Sequence, residues 1–171
     1  WDTVFSNKLS FTITSIGFAD NIIYRNNAKV NDDIYVSGNL GDSYLGLLIL
    51  KNKIKLNYQL KKYFINQYFL PNIQLKLSSK INKFANTSID ISDGLLADID
   101  KMINNQYLSY KLFLEEIPIS KNLKKIIDLK KLSKINYISK GDDYQILFTA
   151  SKNKTRIIKN IASNLGVKIT K

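Results

Sequence analysis

The sequence of 171 residues contains no cysteine and no histidine. The missing cysteine excludes disulfide bonds and thiolate metal sites, and it fits a reducing compartment. The missing histidine excludes Ser-His and Cys-His nucleophile pairs and imidazole metal ligands. Any metal chemistry in this chain must therefore use oxygen ligands, for which Mg²⁺, Mn²⁺ and Ca²⁺ are the natural ions.

Long apolar runs are also missing, since no stretch reaches the roughly 18 residues that a membrane span needs. The first residues, Trp1-Asp2-Thr3-Val4, carry neither a basic region nor an initiating Met, so we expect no signal peptide and a chain cut from a longer protein. Hydrophobic residues make up 44% of the sequence, which is enough for one domain core. We expect a cytoplasmic protein without a membrane partner.

Acidic residues are scarce relative to basic ones, with 14 Asp and Glu against 26 Lys and Arg and a net charge of +12. A surface for nucleic acid or other anions is one explanation. The other is a compositional habit, because Lys, Asn and Ile are all abundant and the lysines are scattered. We favour the second, since no basic stretch interleaves with aromatic residues in a nucleic-acid motif, and we expect no nucleic-acid partner.

Apolar residues follow both strand-like and helix-like patterns. Short apolar or alternating stretches predict strands at Leu9–Ile13, Asp33–Ser37, Thr87–Ile91, Tyr110–Leu114, Tyr144–Thr149 and from Val167. Spacings of three and four predict a helix that Asp42 caps and that runs through Ile49. They also predict helices over Tyr58–Phe69, along Ile73, Leu77 and Ile81, after Gly94, over Lys121–Leu129 and over Lys152–Asn164. This mixture predicts an α/β (α+β) fold, with a two-layer mixed sheet packed with helices.

The sharpest feature is the stretch 89–94, which reads Ile-Asp-Ile-Ser-Asp-Gly. On a strand, Asp90 and Ser92 point to one face and the two isoleucines point to the core. Asp93 follows at the turn into a helix, so two carboxylates and a hydroxyl converge where α/β sheets place ligands. Mg²⁺ favours one or two carboxylates, with water and phosphate oxygens as its other ligands. A helix cap at Asp93 and a plain strand end at Asp90 explain the local sequence equally well.

Three further features are weaker on their own. Gly141-Asp142-Asp143 is acidic, but Gly and Asp are enriched in ordinary turns. Arg25 is one of only two arginines, and its guanidinium matches a phosphate group, although an isolated Arg is usually a surface residue. The loop 38–42 lacks the Lys-Ser/Thr pair of a phosphate-binding P-loop, so we expect a strand-to-helix turn there.

Five segments together resemble the motifs of the thiamine-monophosphate kinases. The stretch from Asp90 to Asp98 resembles the family's DxSDGLxxDL signature, and the stretch from Gly141 to Thr149 resembles GG(E/D)DYELxFT. The remaining three are Arg25 to Gly38, similar to RSGAKPGDxIYVTG, Gly41 to Leu47, similar to GDSxxGL, and Asp2 to Val4, similar to the end of GGDTV. All five occur in family order with family-like spacing.

The resemblance implies a fold, an activity and partners. The fold is the C-terminal domain of the aminoimidazole-ribonucleotide-synthetase-like superfamily, with residues 1–17 ending the N-terminal domain and residues 18–171 forming a C-terminal domain truncated at its C-terminus. The activity is phosphorylation of thiamine monophosphate to thiamine diphosphate by ATP, with Mg²⁺ as cofactor. The full-length protein is implied to be a homodimer, and the fragment alone to be inactive.

The resemblance also implies roles for individual residues. Asp2, Asp90 and Asp93 would bind Mg²⁺, Arg25 and Ser92 would contact ATP, and Asp142 would lie near the thiamine phosphate substrate. No catalytic side chain is assigned, because the substrate phosphate is mostly a dianion at neutral pH and needs no general base.

The sequence also departs from the family motifs. Trp1 and Lys140 each replace a Gly, Gln145 replaces a Glu, and Leu70-Pro71-Asn72 stands where the motif RPxPR carries arginines. Three alternatives stay open: another ATP-using enzyme of the same superfamily, a basic nucleic-acid-binding domain, and an inactive remnant.

Overall fold

A four-stranded sheet forms the centre of the computed structural model, which describes residues 9, 11–18 and 21–171. The strands are β1 (Asp33–Ser37), β2 (Thr87–Asp90), β3 (Ile146–Ala150) and β4 (Ile169–Thr170), in the order β2-β3-β1-β4. The predicted α/β class is confirmed. The sheet itself is not mixed in strand direction, because β3 pairs antiparallel with both β1 and β2, and β4 pairs antiparallel with β1.

Seven helices of the described residues surround the sheet. They are α1 (Asp42–Leu50), α2 (Tyr58–Phe69), α3 (Leu75–Ser78), α4 (Leu95–Met102), α5 (Lys121–Lys130), α6 (Ile135–Ile138) and α7 (Thr155–Leu165). Single 3₁₀ turns occupy Ile81–Lys83 and Lys152–Lys154. In the described residues, no helix is both long and apolar enough to cross a membrane.

Side-chain alternation along the strands gives the sheet two apolar faces. Val36, Ile89 and Leu147 lie in one core cluster with α4, whereas Tyr35 and Phe148 lie in a second cluster with side chains of α3 and α7. The rings of the latter pair stack at 5.2 Å between centroids across β1 and β3. Helices therefore contact both faces of the sheet, and the alternating strand pattern explains why.

A third apolar cluster joins α1, α2 and α5 and fixes the start of α1. Its buried members include Leu45, Phe64 and Leu123. Gly46 lets the first two helices approach closely, because a Cβ atom at this position would lie 2.2 Å from the carbonyl oxygen of Phe64. The loop before α1, which carries part of the candidate site, is thus held by a packed helix pair.

Two predicted strands are wrong in the described residues. Leu9, Phe11 and Ile13 are exposed and belong to no strand, and Ser10 between them lies outside the described residues. The stretch 110–114 runs irregularly beside the sheet without joining it. A period-two pattern gives a strand only where a partner strand offers its hydrogen bonds, and neither stretch has one among the described residues.

The predicted helix along Ile73, Leu77 and Ile81 is only partly correct. Leu77 and Ile81 are buried, but Ile73 is exposed and only Leu75–Ser78 is α-helical. The hydroxyls of Ser78 and Ser79 donate to the carbonyl oxygens three residues earlier, at 2.8 and 3.0 Å. Such local side-chain bonds compete with continuation of the helix.

Candidate phosphate and metal site

The two acidic motifs, far apart in sequence, form one continuous surface. The amide of Asp142 donates to the carbonyl of Ser92 at 3.0 Å, and the amide of Tyr144 donates to the carbonyl of Ile91 at 2.8 Å. Gly141 permits this approach, because a Cβ atom there would lie 1.7 Å from the carbonyl oxygen of Ser92. Asp142 and Tyr144 both take positive φ values, 67° and 50°, to complete the turn.

Asp98 holds the loop that precedes α4. Its carboxylate is fully buried and accepts hydrogen bonds from the amides of Ser92, Asp93 and Gly94 at 3.0, 2.9 and 3.0 Å. These amides would otherwise be unsatisfied at the helix start. The proposed cap at Asp93 is therefore not formed, since Gly94 occupies the N-cap position and Asp98 supplies the acceptor.

The other two acids of this loop face outward. Asp90, at the end of β2, is exposed, and the side chain of Asp93 is 63% exposed. Ile89 and Ile91 are buried, which confirms the predicted core face of the strand. Lys101 donates to both Asp93 and Asp98, and the hydrogen bond to Asp93 is the main reason why its pKa is raised.

The donor set fits Mg²⁺ but is small. Among residues 9, 11–18 and 21–171, no three acidic side chains gather closely enough to hold a metal ion. Asp90 and Asp93 offer the one or two carboxylates that Mg²⁺ takes when substrate phosphates and water complete its shell. The ammonium group of Lys101 occupies Asp93 in this structure, so a metal ion bound there would displace it. Asp2, the third predicted ligand, lies outside the described residues.

The two predicted ATP contacts are placed differently. Ser92 is half-buried in the loop between the two acidic motifs. Arg25 is exposed, and its segment is anchored elsewhere: the carbonyl of Tyr24 accepts from Thr87 at 2.7 Å, and the amide of Asn26 donates to Met102 at 2.9 Å. Thr87 begins β2 and Met102 ends α4, so these anchors lie away from the loop of Ser92. A contact between Arg25 and ATP stays a prediction.

Asp143, which the sequence analysis did not single out, ties this surface to the start of α1. It is buried, and its carboxylate accepts a hydrogen bond from the amide of Gly41 at 2.8 Å. Burial raises the pKa of Asp143 to about 7, and the nearby carboxylate of Asp42 adds to the rise. The bonds from Gly41 and Ser43 oppose that shift.

Asp42 also differs from its predicted role as a helix cap. Gly41, in the left-handed region, is the N-cap of α1, and Asp42 follows as a buried residue of the first turn. Its carboxylate accepts from the hydroxyls of Tyr63 and Ser120 at 2.8 and 2.7 Å. Burial raises its pKa, against those two hydrogen bonds. Asp42 and Asp143 thus form a buried acid pair at the start of α1.

Two departures from the resembled motifs meet in the structure. Gln145 is buried, and its amide nitrogen donates to the carbonyl of Asn72, in the stretch where the motif arginines are missing, at 3.1 Å. Lys140, a third departure, lies against Gly94: a Cβ atom on this glycine would be 2.8 Å from the lysine amide nitrogen.

Comparison with known proteins gives thiamine-monophosphate kinases as sequence relatives, while no family model matches. A thiamine-monophosphate kinase of Buchnera aphidicola from Acyrthosiphon pisum is 37% identical over 159 residues, covering 89% of this chain and 49% of the relative. The Aquifex aeolicus thiamine-monophosphate kinase is 31% identical over 150 residues, covering 87% of this chain and 49% of the relative. This chain is similar in sequence to the thiamine-monophosphate kinases. It spans about half the length of the curated relatives that it matches.

Solved structures of thiamine-monophosphate kinases give the same result for the fold. The Stenotrophomonas maltophilia enzyme superposes with a TM-score of 0.78 at 25% identity, covering 89% of this chain and 49% of that one. AaThiL complexed with AMPPCP and TMP superposes with a TM-score of 0.75 at 29% identity, covering 88% and 47%. The predicted aminoimidazole-ribonucleotide-synthetase-like fold is confirmed, as is the predicted resemblance to thiamine-monophosphate kinases.

Proposed function

We propose that this chain is the phosphate- and nucleotide-binding portion of a thiamine-monophosphate kinase, which transfers a phosphoryl group from ATP to thiamine monophosphate. The observation that carries the proposal is the interlocking of the two acidic loops. Their backbones bond to each other between Ser92 and Asp142, and Asp90 and Asp93 are left exposed at the same edge. The named relatives, and a related structure that holds AMPPCP and TMP, support this assignment.

The residues suit a reaction between two polyanions. The substrate phosphate is itself the nucleophile, and as a dianion it needs no base, which suits a chain without histidine. We assign Asp90 and Asp93 to Mg²⁺, Ser92 and Arg25 to ATP, and Asp142 to the substrate side. When bound, the metal neutralises phosphate charge, and the protein contributes positioning and electrostatic stabilisation.

The organisation of the whole protein is part of the same proposal. We take residues 1–17 as the end of an N-terminal domain and residues 18–171 as a C-terminal domain. The exposed apolar side chains of Leu9, Phe11 and Ile13 support this division, since such a patch suits contact with another domain. We further propose that the intact enzyme is a cytoplasmic homodimer and that the present chain alone has no kinase activity.

The test is an assay of the intact parent protein with thiamine monophosphate, ATP and Mg²⁺, with thiamine diphosphate detected by chromatography. We expect Mg²⁺-dependent product from the parent and none from residues 1–171. ATP turnover that requires a different acceptor would instead favour another enzyme of the same superfamily. Binding to nucleic acid that falls steeply with salt and ignores Mg²⁺, without kinase turnover, would contradict the proposal.

A further inference from the structure

Gln145 joins three segments that are distant in sequence. Its side chain is buried, and its Oε1 atom accepts from the hydroxyl of Ser37 at 2.8 Å and lies 3.4 Å from Nε2 of Gln74. Its Nε2 atom donates to the carbonyl of Asn72 at 3.1 Å and lies 3.3 Å from the carbonyl of Asp143. One side chain therefore connects the end of β1, the segment after α2 and the acidic loop.

The partners of Gln145 in this chain require an amide, although the resembled motif carries a Glu at this position. Two backbone carbonyls face the nitrogen of Gln145, and only a donor is compatible with them. The hydroxyl of Ser37 is committed on both sides, because it donates to Oε1 and accepts from the amide of Ile146 at 2.9 Å. A carboxylate here would face two carbonyl oxygens without a proton to offer, and burying it unpaired would be costly.

The backbone of Gln145 belongs to the acidic edge, by which we mean the joined loops that carry Asp90, Asp93 and Asp142. Its carbonyl accepts from the amide of Ile91 at 2.9 Å, directly beside the loop of Asp93. Its side chain meanwhile holds a segment whose outer residues, Asn72 and Ile73, are exposed. Gln145 is thus the point at which the exposed segment and the acidic edge are fixed relative to each other.

We propose that Gln145 is a positioning residue that fixes segment 70–74 against the acidic edge, and that this segment forms one wall of the site for an organic phosphate. The second half of this statement rests on the proposed function. The first half does not, because it concerns only the connection between the segment and the edge.

Hydrogen–deuterium exchange tests the first half, with the amides of Leu75 and Leu77 as reporters because they bond within this stretch. We expect roughly fivefold faster exchange there in Gln145→Glu at pH 8, as the loss of a buried hydrogen bond implies. Gln145→Met is uncharged and of similar length, and it should show the same local effect. Because it buries no charge, it guards against an effect that comes from global unfolding. The matched control is Gln59→Glu, at an exposed position on α2, which should leave the segment unchanged.

The pH dependence of exchange distinguishes a hydrogen-bonding role of Gln145 from a role in packing alone. In the Gln145→Glu variant, a protonated carboxyl group can donate one hydrogen bond, whereas the thioether of Gln145→Met can donate none. Relative to the unsubstituted chain at the same pH, exchange at pH 5 should therefore be equally slow in the first variant and still faster in the second. The unsubstituted chain is measured in parallel because Asp143 titrates in the same range. Unchanged exchange of Leu75 and Leu77 in both variants at pH 8 would overturn the proposal.

Kinetics of the intact parent protein test the second half. Gln145→Glu should raise KM for the phosphate acceptor about tenfold while leaving KM for ATP and kcat within about threefold, as expected when a binding wall is displaced. Faster exchange with an unchanged acceptor KM would show that the segment is held but is no wall of the site. A parent without kinase activity would refute the proposed function, and the exchange experiment would still decide the role of Gln145.

Discussion

The two ends of the sheet both carry carboxylates, and they use them differently. At the end where β1 begins, Asp32 accepts hydrogen bonds from Asn86 at 2.8 Å, Thr149 at 3.0 Å and the amide of Lys29 at 3.0 Å. At the other end, Asp90 and Asp93 are exposed. Asp32, which accepts several protein donors, is bound into the structure. The exposed acids at the loop edge are available to a ligand, which at Asp93 would displace the ammonium group of Lys101.

The same contrast divides the acidic edge internally. Asp98 accepts three backbone amides, and Asp143 accepts the amide of Gly41. Both are buried, so they build the loops on which Asp90, Asp93 and Asp142 are presented. Four substitutions can break or sharpen this division between structural and ligand-binding acids.

The largest effect is expected for Asp93→Asn in the intact enzyme. Turnover should fall at least about 100-fold, as the loss of a metal ligand or of preorganised charge typically causes. The control is Asp128→Asn, at an exposed position on α5, which should keep the original rate. The assay is thiamine diphosphate formation at saturating Mg²⁺. Near-normal turnover of Asp93→Asn would show that Asp93 is not a metal ligand.

Gly141→Ala should destabilise the chain by about 3 kcal/mol, because the added Cβ atom meets the carbonyl of Ser92 and the acidic loops cannot stay together. Gly166→Ala is the matched control. It adds the same methyl group in open space, at φ 63°, and should cost only about 1 kcal/mol. Urea denaturation measures both values, and equal costs would argue against the close contact of the loops.

Asp98→Ala should cost about 2 kcal/mol of stability, since it leaves three amides at the start of α4 without their acceptor. In the same variant, hydrogen exchange of the amides of Ser92 and Gly94 should become faster. Asp128→Ala provides the exposed comparison and should stay within about 0.5 kcal/mol. A similarly small loss of stability in Asp98→Ala would show that Asp98 is not one of the structural acids.

Expressed per pH unit, the smallest effect is a pH dependence that comes from Asp143. Its pKa rises from 3.8 in the unfolded reference to about 7 in the folded chain, so the folded state keeps the proton longer. The free energy of unfolding should therefore fall as the pH rises from about 4 to about 7, by at most about 1.4 kcal/mol per pH unit. Asp143→Asn should flatten this slope in urea titrations at several pH values.

Asp42 remains in that variant and acts in the same direction, because burial raises its pKa as well. The informative quantity is thus the difference in slope between Asp143→Asn and the unsubstituted chain. Identical slopes would mean that the pKa of Asp143 in the folded chain is not raised. That result would contradict the effect expected from its burial beside α1.

Local pattern was enough to predict most of the secondary structure. β1, β2, α2 and α5 lie within one residue of their predicted bounds, because their apolar periodicity and their flanking Asn, Ser and Pro residues act over a few positions. The outward placement of Asp90, opposite the buried isoleucines beside it, followed from the same alternation. Predicted strands at Leu9–Ile13 and Tyr110–Leu114 were wrong, because pairing depends on a partner that a local pattern does not reveal.

The structural acids could not be predicted for a related reason. Asp98 and Asp143 look no different in sequence from their neighbours Asp93 and Asp142. Their burial follows from contacts between loops far apart in the chain, and the acceptor role of Asp98 had only one local signal, an acid in the first turn of a helix. Gln145 was noted only as a departure, and its three-segment connection exists only in the folded chain.

The most direct measurement is paramagnetic broadening of amide resonances by Mn²⁺, which can replace Mg²⁺ at oxygen ligands. The chain would be titrated with Mn²⁺ in the presence of ATP, and the two ends of the sheet compared. Resonances of residues 90–94 should broaden first, while those around Asp32 should stay sharp. Broadening centred on Asp32, or equal broadening at both ends, would contradict the assignment of the metal site to Asp90 and Asp93.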